Sequence, residues 1–181
     1  METDDIGLVR EALAGKTSAF GALVERYQKV VFNVAYRMTR DYDEAQDIAQ
    51  VAFVKAYENL ARFDPKYRFF SWLYRIAINE TLNRIKSKQR LEELNTRLKS
   101  DEKDPAEACG ETDLVEKIQD ALMEIEPKYR ILLVLRHLRA FSYKDIGDAV
   151  GIPEGKVKSR LFTARRLLRT ALISRGIVGD E

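Results

Sequence analysis

The sequence predicts an all-α protein built as two small helical domains joined by a flexible acidic linker. Apolar residues recur at spacings of three and four nearly throughout, and no stretch alternates strictly in twos between turn dipeptides. A polar, acid-rich run separates two apolar-rich halves. The 181 residues include only 4 prolines and 9 glycines, which leaves long uninterrupted stretches for helices and enough chain for two small domains. A net charge of +2 conceals blocks of opposite sign: residues 66–90 carry seven Lys or Arg against the single acid Glu80, and residues 91–126 carry twelve acids against four bases.

Taken in order, Ser18 is placed to cap a first helix with apolar positions Phe20, Leu23, Val24, Tyr27, Val31, Val34, Ala35 and Met38. The preceding Gly15-Lys16-Thr17 imitates the end of a phosphate loop. That motif needs a glycine where Arg10 stands, and a preceding strand, so it is set aside. A second helix is expected over residues 43–60, with Ala49, Phe53, Ala56, Tyr57 and Leu60 facing the core. Val51 and Val54 lie on its other side with Asp47, Gln50 and Glu58, a mixed apolar and acidic face suited to docking a partner helix.

Residues 61–68, containing Asp64-Pro65, read as a loop, and a third helix follows over 69–88. Tyr74, Ile78, Leu82 and Ile85 form its core stripe, while Phe69, Trp72, Ile76, Asn79 and Asn83 share the opposite face, edged by Arg75 and Lys86. Beside the loop residues Phe63, Lys66, Tyr67 and Arg68, that face has the chemistry single-stranded nucleic acid requires. Bases stack on rings, amides read base edges and cations follow the backbone. The alternative is that Trp72 and the phenylalanines only fill the core of a three-helix domain.

These elements set a first domain over residues 1–88, a linker over 89–112 and a second domain over 113–181. As random coil, the roughly 26 residues 87–112 would span about 28 Å r.m.s. and at most about 85 Å, so two weakly bound domains could be held on one ligand. The linker holds Cys109, the only cysteine, which rules out an intramolecular disulfide. His137 is the only histidine, so neither a His-paired nucleophile nor a metal site of usual spacing can be built; no catalytic residue, metal or cofactor is expected. The acidic amino terminus is unlike a signal peptide and no apolar run reaches membrane-span length, so a soluble, cytoplasmic protein is expected.

In the second domain, helices are expected over residues 114–125, ending before Pro127, and over 128–138. A compact apolar element over 142–150 then turns at Gly151 into a basic helix that Pro153 can start. Val157, Leu161, Ala164 and Leu168 make its buried stripe, with Ile146 and Val150 packed against it as a helix-turn-helix requires. The exposed side carries Lys156, Lys158, Ser159, Phe162, Thr163 and Arg166. With Arg160, Arg165, Arg169 and Arg175, seven bases face only Glu154 from 153 to 175. Cations, hydroxyls and a bare ring are the means of major-groove readout.

Three separated stretches, Asp43-Glu-Ala-Gln-Asp-Ile-Ala-Gln-Val-Ala-Phe-Val-Lys-Ala-Tyr57, Phe70-Ser-Trp-Leu-Tyr-Arg-Ile-Ala-Ile-Asn79 and Val157-Lys-Ser-Arg-Leu-Phe162, resemble the extracytoplasmic-function sigma factors of bacterial RNA polymerase, in the same order and spacing. The resemblance implies sigma domains 2 and 4. It implies that Asp47, Gln50, Val51, Phe53 and Val54 dock on the β′ clamp helices of core polymerase. Phe63, Lys66, Tyr67, Arg68, Trp72, Arg75, Asn79 and Asn83 would open and read the minus-ten element, with Asn79 in a pocket for an extruded base. Lys156, Lys158, Ser159, Arg160, Phe162, Thr163 and Arg166 would read the minus-thirty-five duplex while domain 4 sits on the β flap. An anti-sigma factor is an implied partner, and no further carboxy-terminal domain is expected. The family commonly has glutamate after the matching glutamine, where this chain has Val51. A stand-alone helix-turn-helix regulator is the alternative function.

Overall fold

Eight α-helices and one 3-10 turn, with no strand, make up residues 4–98, 114–138 and 141–179, the part of the chain that the computed structural model describes. They are α1 (Asp5–Leu13), α2 (Thr17–Thr39), α3 (Tyr42–Glu58), the 3-10 turn (Leu60–Arg62), α4 (Phe69–Leu98), α5 (Leu114–Met123), α6 (Pro127–Leu138), α7 (Tyr143–Val150) and α8 (Glu154–Ser174). The predicted all-α class therefore holds.

Helix α1 had no counterpart in the sequence expectation. It is short, but Leu8, Val9 and Ala12 bury one face against the molecule. Asp5 ties it to α2 through an ion pair with Arg26 and a 2.5 Å bond donated by the Tyr27 hydroxyl. Burial first, then this bond, pushes the Tyr27 phenol's pKa well above its ordinary value. Helix α2 starts at Thr17 with Lys16 preceding it and no side-chain cap, so Ser18 lies inside the first turn rather than capping it. Asp41 does cap α3, its carboxylate accepting from Glu44 N–H at 3.0 Å.

Helix α4 runs to Leu98, ten residues past the expected end at Lys88. Residues 89–98 are rich in Arg, Leu and Glu, strong helix formers with no Gly or Pro to stop them. A coil span counted from residue 87 therefore does not apply. The remaining linker, with Cys109, lies outside the described residues.

Helices α2, α3 and α4 pack together, and α6, α7 and α8 form the second group. Helix α2 also meets α6, and α4 meets α7, so one apolar cluster runs from Leu23, Val31, Leu73 and Ile78 through Ile131, Leu135, Ile146 and Leu161. Burying each such side chain is worth roughly 1.5–3 kcal/mol. Two expected faces change. Tyr57, assigned to the α3 core stripe, is half exposed, and Phe69, assigned to the nucleic-acid face, is buried. Each lies at the edge of its stripe, where neighbouring helices rather than spacing set burial.

Candidate nucleic-acid interface and docking groove

Three surfaces gather most of the residues singled out in the sequence. The first is an open groove of about 1240 Å³ between α2 and α3. Phe20, Val24 and Phe32 of α2 face Gln50, Phe53, Val54 and Tyr57 of α3 across it, a mainly apolar trough rimmed by Lys29 and Glu58. Val54 is 51 % exposed. With Phe20, Val24, Phe32 and Tyr57 it belongs to one contiguous apolar lining, which suits an apolar partner. Of the expected docking residues, Gln50, Phe53 and Val54 line the groove; Asp47 is exposed on α3 outside it, and Val51 is half-buried beside it. Tyr57 and the α2 side were missed, because a groove between helices is invisible to the periodicity of either one.

The second surface lies along α4 and the preceding loop. A pocket of about 330 Å³ is lined by Trp72, Ile76, Asn79, Glu80 and Asn83 of α4 with Lys55, Asn59 and Arg62 from α3 and the 3-10 turn. This volume is at the small end for ligand pockets. Asn79 and Asn83 are exposed, which leaves their amides open to a ligand. Trp72 is half-buried, tilted against Phe63 and Phe69 at 5.4 and 5.7 Å between centroids. Phe63 is itself buried, so its ring supports Trp72 from behind. Lys66, Tyr67, Arg68 and Arg75 are exposed around this face.

Lys55 and Glu80, which the sequence reading did not select for this site, join α3 to the pocket wall. Lys55 donates to Glu80 at 2.5 Å and Arg84 approaches the other carboxylate oxygen at 3.5 Å. The bond from Lys55 is the main cause holding the Glu80 carboxyl below its ordinary pKa of 4.5, so the group is charged at neutral pH.

The third surface is α8. Ser142 opens α7 with a capping box, accepting from Asp145 N–H at 3.1 Å, and Gly151 closes it in the left-handed region at φ 73°. The N–H groups of Gly151 and Ile152 both donate to Gly147 O, at 2.8 and 3.0 Å. A Cβ on Gly147 would stand 2.7 Å from Ile152 O, so only glycine fits here. This turn delivers α8, whose Val157, Leu161 and Ala164 are buried and Leu168 partly so, as the spacing predicted.

Phe162 is 64 % exposed, flanked by exposed Lys156, Lys158, Ser159, Thr163 and Arg166; Arg160 is half-buried at the edge. Two of these polar groups are turned back onto the helix. Ser159 Oγ donates to Lys156 O at 3.1 Å and Thr163 Oγ1 to Ser159 O at 3.3 Å. Lys158 pairs with Glu154 at 3.5 Å and lies 5.7 Å from the Tyr143 ring centroid, which Arg136 approaches at 5.3 Å.

The second and third surfaces meet. A cavity of about 450 Å³ has Arg62, Tyr67, Trp72 and Arg75 on one side and Asp148 and Ile152 of the helix-turn-helix on the other. Phe141 packs edge-on against Phe70 and Tyr74, at 5.5 and 5.3 Å between centroids.

Comparison with known proteins follows the same division. A family model for Sigma-70 region 2 matches residues 23–91 and one for Sigma-70 region 4 matches residues 115–168. The chain is 33 % identical to the ECF RNA polymerase sigma factor SigW of Bacillus subtilis (strain 168), over 91 % of this chain and 94 % of that protein. It superposes on CnrH, solved in complex with the cytosolic domain of CnrY, with a TM-score of 0.72 and 25 % identity over 94 % of this chain and 97 % of that one. The sigma factor RpoE, solved with the anti-sigma factor NepR from Bartonella quintana, gives a TM-score of 0.68 at 25 % identity, covering 84 % of this chain and 96 % of that one.

Proposed function

Because this chain belongs to the extracytoplasmic-function family of RNA polymerase sigma factors, we propose a specific division of that work among its three surfaces. The α2–α3 groove takes the β′ clamp helices of core polymerase, with Gln50, Phe53 and Val54 on its floor and Asp47 and Val51 at its margin. The α4 pocket takes a base extruded from the melted minus-ten element, with Asn79 and Asn83 reading its edge and Trp72 stacking. Lys66, Tyr67, Arg68 and Arg75 hold the adjoining strand. Helix α8 enters the minus-thirty-five major groove with Lys156, Lys158, Phe162 and Arg166 foremost, while its domain rests on the β flap.

In this division, residues 1–88 and 113–181 act as separate promoter-binding units joined through 89–112. The protein works in the cytoplasm, binds rather than transforms its ligands, and is held in check by an anti-sigma factor, the kind of partner with which RpoE was solved. No helix among the described residues is long and apolar enough to cross a membrane.

The observation that carries this reading is the pocket holding Asn79 and Asn83 beside Trp72. A stand-alone duplex-binding regulator has no use for exposed amides and an indole in one pocket. Stacking is worth roughly 1–3 kcal/mol per base, enough to offset the few kcal/mol of unstacking it. The test is reconstitution with core polymerase and run-off transcription on genomic fragments. Asn79→Ala should abolish promoter opening yet leave duplex minus-thirty-five binding intact; equal loss of both would reduce Asn79 to a structural role.

A further inference from the structure

The cavity of about 450 Å³ between the loop before α4 and the helix-turn-helix collects polar groups that do not satisfy one another. Ser71, on its wall, is only 6 % exposed, yet its hydroxyl has no hydrogen-bond partner among the described residues. Buried hydroxyls are ordinarily paired, so one left open on a cavity wall points to a ligand. Arg62 and Arg75 line the same space, and neither enters an ion pair among the described residues. Arg75 Nη2 stands 3.6 Å from where a Cβ on Gly151 would be, which lays its guanidinium against the turn.

The far wall adds further unmet groups. Pro153 opens α8 without a side-chain cap, and the first N–H groups to find an acceptor are those of Lys156 and Val157, both on Pro153 O. Glu154 and Gly155 N–H are therefore left without acceptors among the described residues, an amino end that favours an anion. Two acids also line the cavity. Asp64 is engaged, accepting from Lys66 N–H at 3.0 Å, whereas Asp148 of α7 is exposed and has no ion-pair partner among the described residues. Tyr67, 60 % exposed, and Trp72 supply aromatic faces.

We propose that this cavity binds a free nucleoside monophosphate. Inorganic phosphate would leave Asp148 and the rings unused, and a cationic ligand would leave both arginines unused; a nucleotide answers all of them. Its phosphate is held by Arg62, Arg75 and the start of α8. Its base stacks on Tyr67 and Trp72 and donates to Asp148, while Ser71 is left for the sugar. Guanine is preferred, because it offers one carboxylate two adjacent N–H donors. The volume lies low in the range of small-molecule sites, room for one nucleotide rather than several. This site is separate from the pocket of Asn79 and Asn83, with which it shares Arg62 and Trp72.

The test titrates the full chain with GMP, ribose 5-phosphate and inorganic phosphate by calorimetry, with fluorescence of the single tryptophan, Trp72, as a second readout. GMP should bind one per chain and quench Trp72, and ribose 5-phosphate should bind about tenfold more weakly for want of stacking. Arg62→Ala should weaken both about tenfold, and Asp148→Asn should weaken GMP about tenfold while leaving ribose 5-phosphate unchanged. Both positions are exposed, so the variants should fold, which far-UV circular dichroism checks. Arg62 and Asp148 stand on opposite walls, so dependence on both locates the ligand in the cavity. GMP that fails to bind, or binds no tighter than inorganic phosphate, would overturn the nucleotide. Binding indifferent to Asp148 would overturn the site, since the first domain alone would then suffice. A dye-labelled DNA single strand that needs Asp148, where GMP does not bind, would overturn the free nucleotide and give the cavity to a nucleotide of the strand. None of these outcomes involves Asn79, so loss of the site leaves the minus-ten reading standing.

Discussion

At the scale of single residues, the chemistry of each surface is concentrated in a few side chains whose settings make distinct predictions. Phe162 and Arg166 stand clear of their neighbours on α8, so Arg166→Ala should weaken duplex minus-thirty-five binding and lower the salt slope of log affinity by about one if its partner is a phosphate. Filter binding across a salt series reads both quantities. Phe162→Ala should instead weaken binding at every salt concentration with no change in slope, because a ring against a thymine methyl displaces no counterion. Glu80 makes a pH prediction. Its carboxyl is held below 4.5 chiefly by Lys55, so the pair stabilises the fold at neutral pH, and the contribution is lost as pH falls through the lowered folded-state value. Lys55→Met should therefore lower the melting temperature at pH 7, and the gap from the parent should close in acid below the ordinary carboxylate range. A gap independent of pH would mean that Lys55 stabilises by packing.

At the scale of elements, the helix-turn-helix depends on backbone proximity. Gly147→Ala forces a methyl to within 2.7 Å of Ile152 O, which helix α7 and the turn can relieve only by moving apart. A cost of about 1–3 kcal/mol is expected, read as a lower thermal midpoint of the second group of helices with weaker minus-thirty-five binding. Ser142→Ala removes the cap from the other end of α7 and should cost about 1 kcal/mol without altering the turn. The element ends were legible in the sequence where they rest on local chemistry. Gly151 and the α8 stripe were recoverable because a left-handed stop and a stripe depend on residues within one or two turns, whereas Ser18, read as a cap, lies inside α2, and the caps that do form, Asp41 and Ser142, were not read as such. Helix α1 was not. Its nine residues are too few to be stable alone, and it exists because α2 offers Asp5 a partner and its apolar side chains a surface.

At the scale of the whole molecule, the junction of the two halves combines buried aromatic packing with backbone-directed hydrogen bonds, and partly exposed ion pairs, Arg40–Asp120 and Arg68–Asp145, lie at its margin. Salt screens the latter and hardly touches the former. The free chain should therefore scatter as a compact particle with a radius of gyration of about 16 Å, nearly unchanged between 0.1 and 0.5 M salt, whereas a junction made of surface charge would open over that range.

The chain by itself determined the all-α class, the core stripes of α4 and α8, the chemistry of their exposed faces and, through three motifs, the family. Each of these follows from residue type and short-range spacing, which a helix converts directly into faces. Only the tertiary structure decided that Val54 and Tyr57 look into a groove shared with α2, that Lys55 joins Asn79 at one pocket, and that Arg40, Gln119 and Arg130 reach across the two halves. Those pairings bring together residues from different helices, as many as 92 apart in the chain. Helical periodicity fixes where a side chain points on its own helix but carries no information about which other helix it will meet.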